Sequence, residues 1–185
     1  MRLPRFALLL CCSAAAPVAA QTSPAPTGSP ARTALPVVAV LNLRFDGEYA
    51  NVLEPGDTLV AAAATSRLIA TLAASGRVRV VDSAAVAAAV TAAEANGNPC
   101  DNPCALAVGR ALGAQWVAKG TITKTSNLVW VLSAGLLEIA TAKPVLADSY
   151  ELKGDATRMG PAGAHVFAQR IERLVAERGA AAANP

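Results

Sequence analysis

Seven residues, Asn98-Pro99-Cys100-Asp101-Asn102-Pro103-Cys104, hold two prolines and two cysteines, and no other stretch constrains the fold so tightly. They stand where helical runs give way to extended ones. Within the segment, Asn102 is placed to cap a helix and Pro103 to be its first residue, where the missing N–H removes nothing the helix needs. Cys104, Val108 and Leu112 then share one stripe of a short helix that stops at Gly113. Cys104 is therefore expected to face inward in the first turn.

What the cysteines can do depends on the compartment. Arg2 and Arg5 form a positive start, Phe6 to Cys12 an apolar core, and Val18-Ala19-Ala20 a small-residue cleavage site before Gln21, the pattern of a secretory signal over residues 1–20. The apolar core falls far short of the roughly 18–20 residues that span a bilayer, so the chain is expected to carry no transmembrane segment after cleavage. The protein is then periplasmic or secreted. Lipidation at Cys11 or Cys12 is the alternative, set against by Leu8-Leu9-Leu10, which lacks the small residues of such a processing site. Cleavage removes Cys11 and Cys12 and leaves Cys100 and Cys104 as an even pair where disulfides persist.

Cleavage also changes the charge. Without Arg2 and Arg5, 14 Lys and Arg face 13 Asp and Glu, a net charge of about +1 rather than +3. The remaining basic residues are scattered, and aromatics make up only 4% of the chain. No stripe suited to nucleic acid results.

Residues 21–35 are rich in Thr, Ser, Pro, Gly and Ala without apolar periodicity, the composition of a flexible spacer. One domain is expected over 36–178 and a fraying tail over 179–185. The domain opens with Pro36 to Leu43, a near-continuous apolar run of the kind covered on both sheet faces. A loop with Asp46, Glu48 and Glu54 follows, and Asp57 is read as the cap of a helix ending at Gly76, with Val60, Ala64, Leu68 and Leu72 on one face. Arg77 to Val81 reads as a strand, and Asp82 with Ser83 caps a helix carrying Val86 and Val90. Beyond the cysteines, Gln115–Lys124, Leu128–Ile139 and Val145–Lys153 alternate as strands, and their short connections favour antiparallel neighbours. A last amphipathic helix, Ala162 to Arg178, presents Phe167, Ile171, Leu174 and Val175. The expected fold is α/β (α+β), with a mixed sheet of about five strands in the order β-α-β-α-α-β-β-β-α.

The opening strand, Gly76-Arg77-Val78-Arg79-Val80-Val81-Asp82, the phrase from Ala111 to Gly120 and the hairpin after it follow one another as in several bacterial envelope domains. The sequence resembles the amino-terminal domain of TolB, CsgG-like secretion and lipoprotein domains, and an uncharacterised family of secreted bacterial proteins with a cysteine pair ahead of the third helix. That resemblance covers roughly Pro36 to Arg178 and implies the fold more than a function. Where members of the last family follow the final strand with a Gly-Asp-Thr-Asp-like phrase and an aromatic residue, this chain has Gly154-Asp155-Ala156-Thr157-Arg158-Met159.

Three chemistries fit Cys100 and Cys104. A structural disulfide would pin the loop to the helix start. A redox pair would draw on the helix N-terminus to favour the Cys104 thiolate, although the spacing is CxxxC and not CxxC. A zinc site would need ligands that the single histidine, His165, does not supply. His165, on an amphipathic helix without a partner nucleophile, reads as a boundary residue. Asp46, Glu48, Glu54 and Asp57 lack the spacing of a calcium loop. Gly109, Gly113 and Gly120 match no phosphate loop and read as helix packing, helix ending and strand crowding. Trp116 and Trp130 read as sheet-face packing.

These patterns assign no catalytic residue, no cofactor and no metal. They point to an exported, non-enzymatic binding or adaptor domain acting on an envelope protein partner. The alternatives are a thiol-redox protein using Cys100 and Cys104, and a small-ligand carrier with its pocket between the sheet and the last helix.

Overall fold

The computed structural model describes residues 34–48 and 53–183. The expected signal peptide and all but the last two residues of the expected spacer lie outside them. Strands β1 (Val37–Val40), β2 (Arg44–Asp46), β3 (Arg79–Val80), β4 (Trp116–Lys124), β5 (Val129–Glu138) and β6 (Lys143–Lys153) form one mixed sheet. Its order is β3-β1-β4-β5-β6, with β2 also paired to β4. β1 runs parallel to β3 and β4, and the two hairpin pairings are antiparallel. Four helices pack on it: α1 (Asp57–Ser75), α2 (Ser83–Ala93), α3 (Asn102–Ala111) and α4 (Ala156–Ala183). The expected mixed α+β class and element order hold, with β2 added.

β2 arises because the first apolar run is not one strand. Val38 and Val40 face one core while Val37, Ala39 and Leu41 face another. Asn42 is exposed, and Leu43 then returns to the first core, one residue out of phase. The hydroxyl of Thr65 on α1 causes the slip by accepting the Leu43 N–H at 2.9 Å, drawing it off the ladder. The chain rejoins β4 at Arg44. The break acts as a bulge does, bending the strand and leaving a gap beside β4.

The face under α1 and α4 is closed. Phe167, Ala164, Ala168 and Ile171 on α4 and Ala64, Leu68 and Leu72 on α1 have no exposed surface, and they meet Ile122, Leu132 and Leu136 of the sheet. Trp116 and Trp130 are buried here too. By length and hydropathy α1 could cross a bilayer, yet Val60, Ala64, Leu68 and Leu72 line this core. α4 begins at Ala156, not Ala162, because Asp155 accepts hydrogen bonds from the Thr157 N–H at 2.9 Å and hydroxyl at 2.6 Å and so opens the helix early. Gly160 and Pro161 lie inside it. Gly160 is needed because a Cβ there would sit 2.7 Å from Val60. α4 runs on to Ala183, into the segment expected to fray.

Two helix starts differ by one residue from expectation. α1 is preceded by Gly56 at φ 98°, and Asp57 is its first helical residue, its carboxylate turned to Lys124. At α3 the cap is Asp101, whose Oδ1 accepts the Cys104 N–H at 2.9 Å, so Asn102 and Pro103 are the first two helical residues.

The opposite face is covered only in part. α2 and α3 pack over β1, the start of β4 and the end of β5 through Val86, Ala105, Leu106 and Val108. Elsewhere this face shows Ser133, Ala147, Ser149 and Glu151, all exposed.

Candidate functional site

The gap left where β1 ends opens into a cleft of about 310 Å³, walled by Leu41, Asn42 and Arg44, by Val86 and Val90 of α2 and Glu94 at its C-terminal cap, and by Cys100, Lys119 and Gly120. β1 lies between β3 and β4, so the chain reverses its direction of travel across the sheet here. Open α/β sheets take ligands outside the carboxyl end of a strand at such a reversal. Gly120 lines the cleft at a point where β4, β5 and Leu43 are crowded together. A Cβ there would come within 2.5 Å of the Ser133 carbonyl and 2.9 Å of Leu43.

The cysteine segment forms one rim. Cys100 and Cys104 are bonded, with Cα atoms 5.1 Å apart. Cys100 immediately precedes the Asp101 cap, so the bridge ties the residue before the cap to the first turn of α3, the place where helices often carry a hydrophobic staple. Cys100 is buried and Cys104 half-buried. Both backbone groups of Cys100 are held by side chains of the cleft. Glu94 accepts its N–H at 2.7 Å, and the Lys119 ammonium donates to its carbonyl at 3.1 Å. The same Glu94 oxygen meets Arg44 at 3.4 Å.

These charges are local in cause. Lys119 follows Val117 onto the α2–α3 face of β4, where half-burial holds its ammonium below the ordinary lysine range; Asp101 opposes that shift and Arg44 adds to it. Glu94 terminates α2, where the helix dipole disfavours an acid. Its contacts with Arg44 and the Cys100 amide offset that. An acid at a helix end, Glu94, and a cation in mid-strand, Lys119, are the legible signs of this cleft in the sequence.

The remaining candidates are dispersed. His165 lies on α4 under the closed face, in hydrogen bonds with Thr71 at 3.1 Å and Gln169 at 3.2 Å. Asp46 ends β2 and Glu48 follows it. Asp57 stands apart from both, at 2.7 Å from the fully buried Lys124, whose ammonium also lies 5.4 Å from the centre of the Trp130 ring. Burial would raise the Asp57 carboxyl, but the Glu54 N–H and Lys124 outweigh it and hold it below its ordinary value. Lys124 keeps phase with Trp116, Ala118 and Ile122, the register of buried positions, and that was its only sequence signal. Gly109 packs against Val117 and Ile139, Gly113 turns the chain at φ 65°, and Gly120 crowds β5. Among the described residues no three metal-ligating side chains come together.

Several solved structures are similar to this chain. The C-terminal domain of LpoB from Escherichia coli matches at 21% identity over 69% of this chain and 90% of its own, with a TM-score of 0.46. Lipoprotein GNA1162 from Neisseria meningitidis matches at 14% identity over 73% and 96%, with a TM-score of 0.48. TolB from Acinetobacter baumannii matches at 14% over 71% of this chain but only 27% of its own, with a TM-score of 0.44. No curated protein matches the sequence. The family model DUF3280, described as a protein of unknown function (DUF2380), matches residues 36–170, and the chain belongs to that family.

Proposed function

We propose that the protein is an exported, non-enzymatic binding domain of the bacterial envelope, and that it meets its protein partner on the surface ordered by the Cys100–Cys104 loop. The observation that carries this reading is the double hold on Cys100. Its N–H and carbonyl are bound by Glu94 and Lys119, so the bridge, the cleft and the start of α3 form one preorganised unit. Preorganisation lowers the entropy lost on binding. The disulfide acts in this reading as a brace, not as a redox group. The charged pairs beside it position backbone and place no nucleophile next to a base.

The test is site-specific photo-crosslinking in an exporting bacterial host. A crosslinker at Thr91, exposed on the cleft wall, is expected to give a discrete adduct with an envelope protein, and one at Arg67, exposed on α1, is not. The adduct is expected to disappear in the Cys100→Ser, Cys104→Ser double variant. Retention of the chain in the cytoplasm, or equal labelling from both positions, overturns the proposal.

A further inference from the structure

We propose that the cleft between α2 and β4 holds an α-carboxylate bearing a short apolar side chain, supplied by a free amino acid or by the last residue of a partner chain. This names the chemistry of the surface assigned above, and it rests on that assignment only for the second source.

The cleft is unequal in its two halves. Leu41, Val86, Ala87 and Val90 give it an apolar wall, while Arg44 and Lys119 stand at its sheet side. Its volume of about 310 Å³ lies at the lower end of ligand pockets, roughly 300–1,000 Å³. That is room for one short residue. The charges of the lining are also unequal, since two cations face the single carboxylate of Glu94, which is taken up by Arg44 and the Cys100 amide, while Asp101 acts on Lys119 from outside the lining and spends its Oδ1 on the Cys104 N–H. Within the lining one positive charge is left over.

Among the described residues, Lys119 donates one hydrogen bond, to the Cys100 carbonyl, and Arg44 one, to Glu94. Both keep donors in reserve. A guanidinium presents its N–H groups in a fork that suits a carboxylate. A half-buried ammonium gains from an anion beside it, which offsets its desolvation. A phosphate fits less well, because its second charge would meet Glu94 and it has nothing to set on Val86 and Val90.

The experiment titrates the full chain, purified from an exporting host with its disulfide intact and labelled with ¹⁵N, with leucine, N-acetyl-leucine and leucinamide. The two acids are expected to move the amide signals of Asn42, Val90 and Lys119, and leucinamide, which lacks the carboxylate, is not. Lys119→Met is expected to weaken the acid by about tenfold or more, as loss of a charged hydrogen bond does. Since Lys119 also holds the cysteine loop, Val90→Trp serves as a second variant that narrows the cleft from its half-buried rim and abolishes the shifts. Tighter binding of leucine assigns the free acid, and tighter binding of N-acetyl-leucine assigns a chain end. Silence from both acids, equal response to leucinamide, or binding unchanged in both variants overturns the proposal. If the Thr91 adduct forms while the acids fail, the contact surface stands and its ligand class falls. If the acids bind and no adduct forms, the carboxylate site stands and the protein-contact reading falls.

Discussion

The two faces of the sheet are built for different ends. Under α1 and α4 the packing is continuous, and even an ion pair, Lys124 with Asp57, is enclosed. Under α2 and α3 the cover is partial, and the charged residues Arg44, Glu94 and Lys119 gather at a cleft where a strand is interrupted. Thr65 connects the two. Standing on the closed face, it takes the Leu43 N–H and so opens the other. Burial is concentrated on one face, and the proposed recognition surface lies on the other.

The sharpest test of that division is truncation. Phe167→Ala removes a side chain with no exposed surface from the α4 core and is expected to destabilise by about 3–5 kcal/mol. Val90→Ala, half-buried at the cleft rim, is expected to destabilise by about 1 kcal/mol or less, from the methyl groups lost. Urea denaturation of both variants reads the contrast directly. Equal losses would break the comparison.

Asp57→Ala probes the charged part of the same closed face. It leaves Lys124 buried without its partner, which is expected to destabilise by about 3 kcal/mol or somewhat more. The pH dependence has a definite sign. Asp57 titrates lower in the fold than its ordinary value of 3.8, so the unfolded chain binds its proton first as pH falls. Its stabilisation is present above that ordinary value and is lost as pH drops through the folded one. Acid denaturation of Asp57→Asn should accordingly show a flatter acid limb than the parent.

Removing the bridge with Cys100→Ser and Cys104→Ser should have a smaller effect. The loop it closes is short, and chain entropy gives about 2 kcal/mol for five residues. The expected signature is local: amide exchange at Ala105 and Leu106 speeds up, while amides of α1 and α4 keep their protection. Uniform loss of protection across both faces would show that the brace supports the whole fold.

What the sequence made legible follows the same division. Local signals placed α1 against Gly76, the Asp82 cap of α2, and the β4–β5–β6 meander, because each rests on periodicity or on a cap within one turn. The strand break at Asn42 was hidden, since it depends on the Thr65 hydroxyl from another element. The start of α4 lies six residues ahead of the expected Ala162, where Asp155 opens the helix and packing against Val60 favours the small residue at Gly160. The pairing of Asp57 with Lys124 spans 67 positions and could not be read locally. Cys100 and Cys104 drew attention to the right neighbourhood, but Glu94 and Lys119, which turn that neighbourhood into a site, lie outside the motif.

Glu94→Gln should have the smallest effect on stability and is the most informative about the cleft. The amide oxygen of glutamine can still accept the Cys100 N–H, so the loop keeps its anchor. What is lost is the charge paired with Arg44, whose side chain is 53% exposed, and an ion pair so open to solvent contributes about 0–1 kcal/mol. Urea midpoints should therefore move little. Glu94→Ala removes the acceptor as well, and exchange of the Cys100 amide should accelerate in that variant alone. If the two variants behave alike, Glu94 acts through its charge and not through the backbone it holds. The cleft would then be an electrostatic surface, and not the braced unit that sets this face apart from the one under α1 and α4.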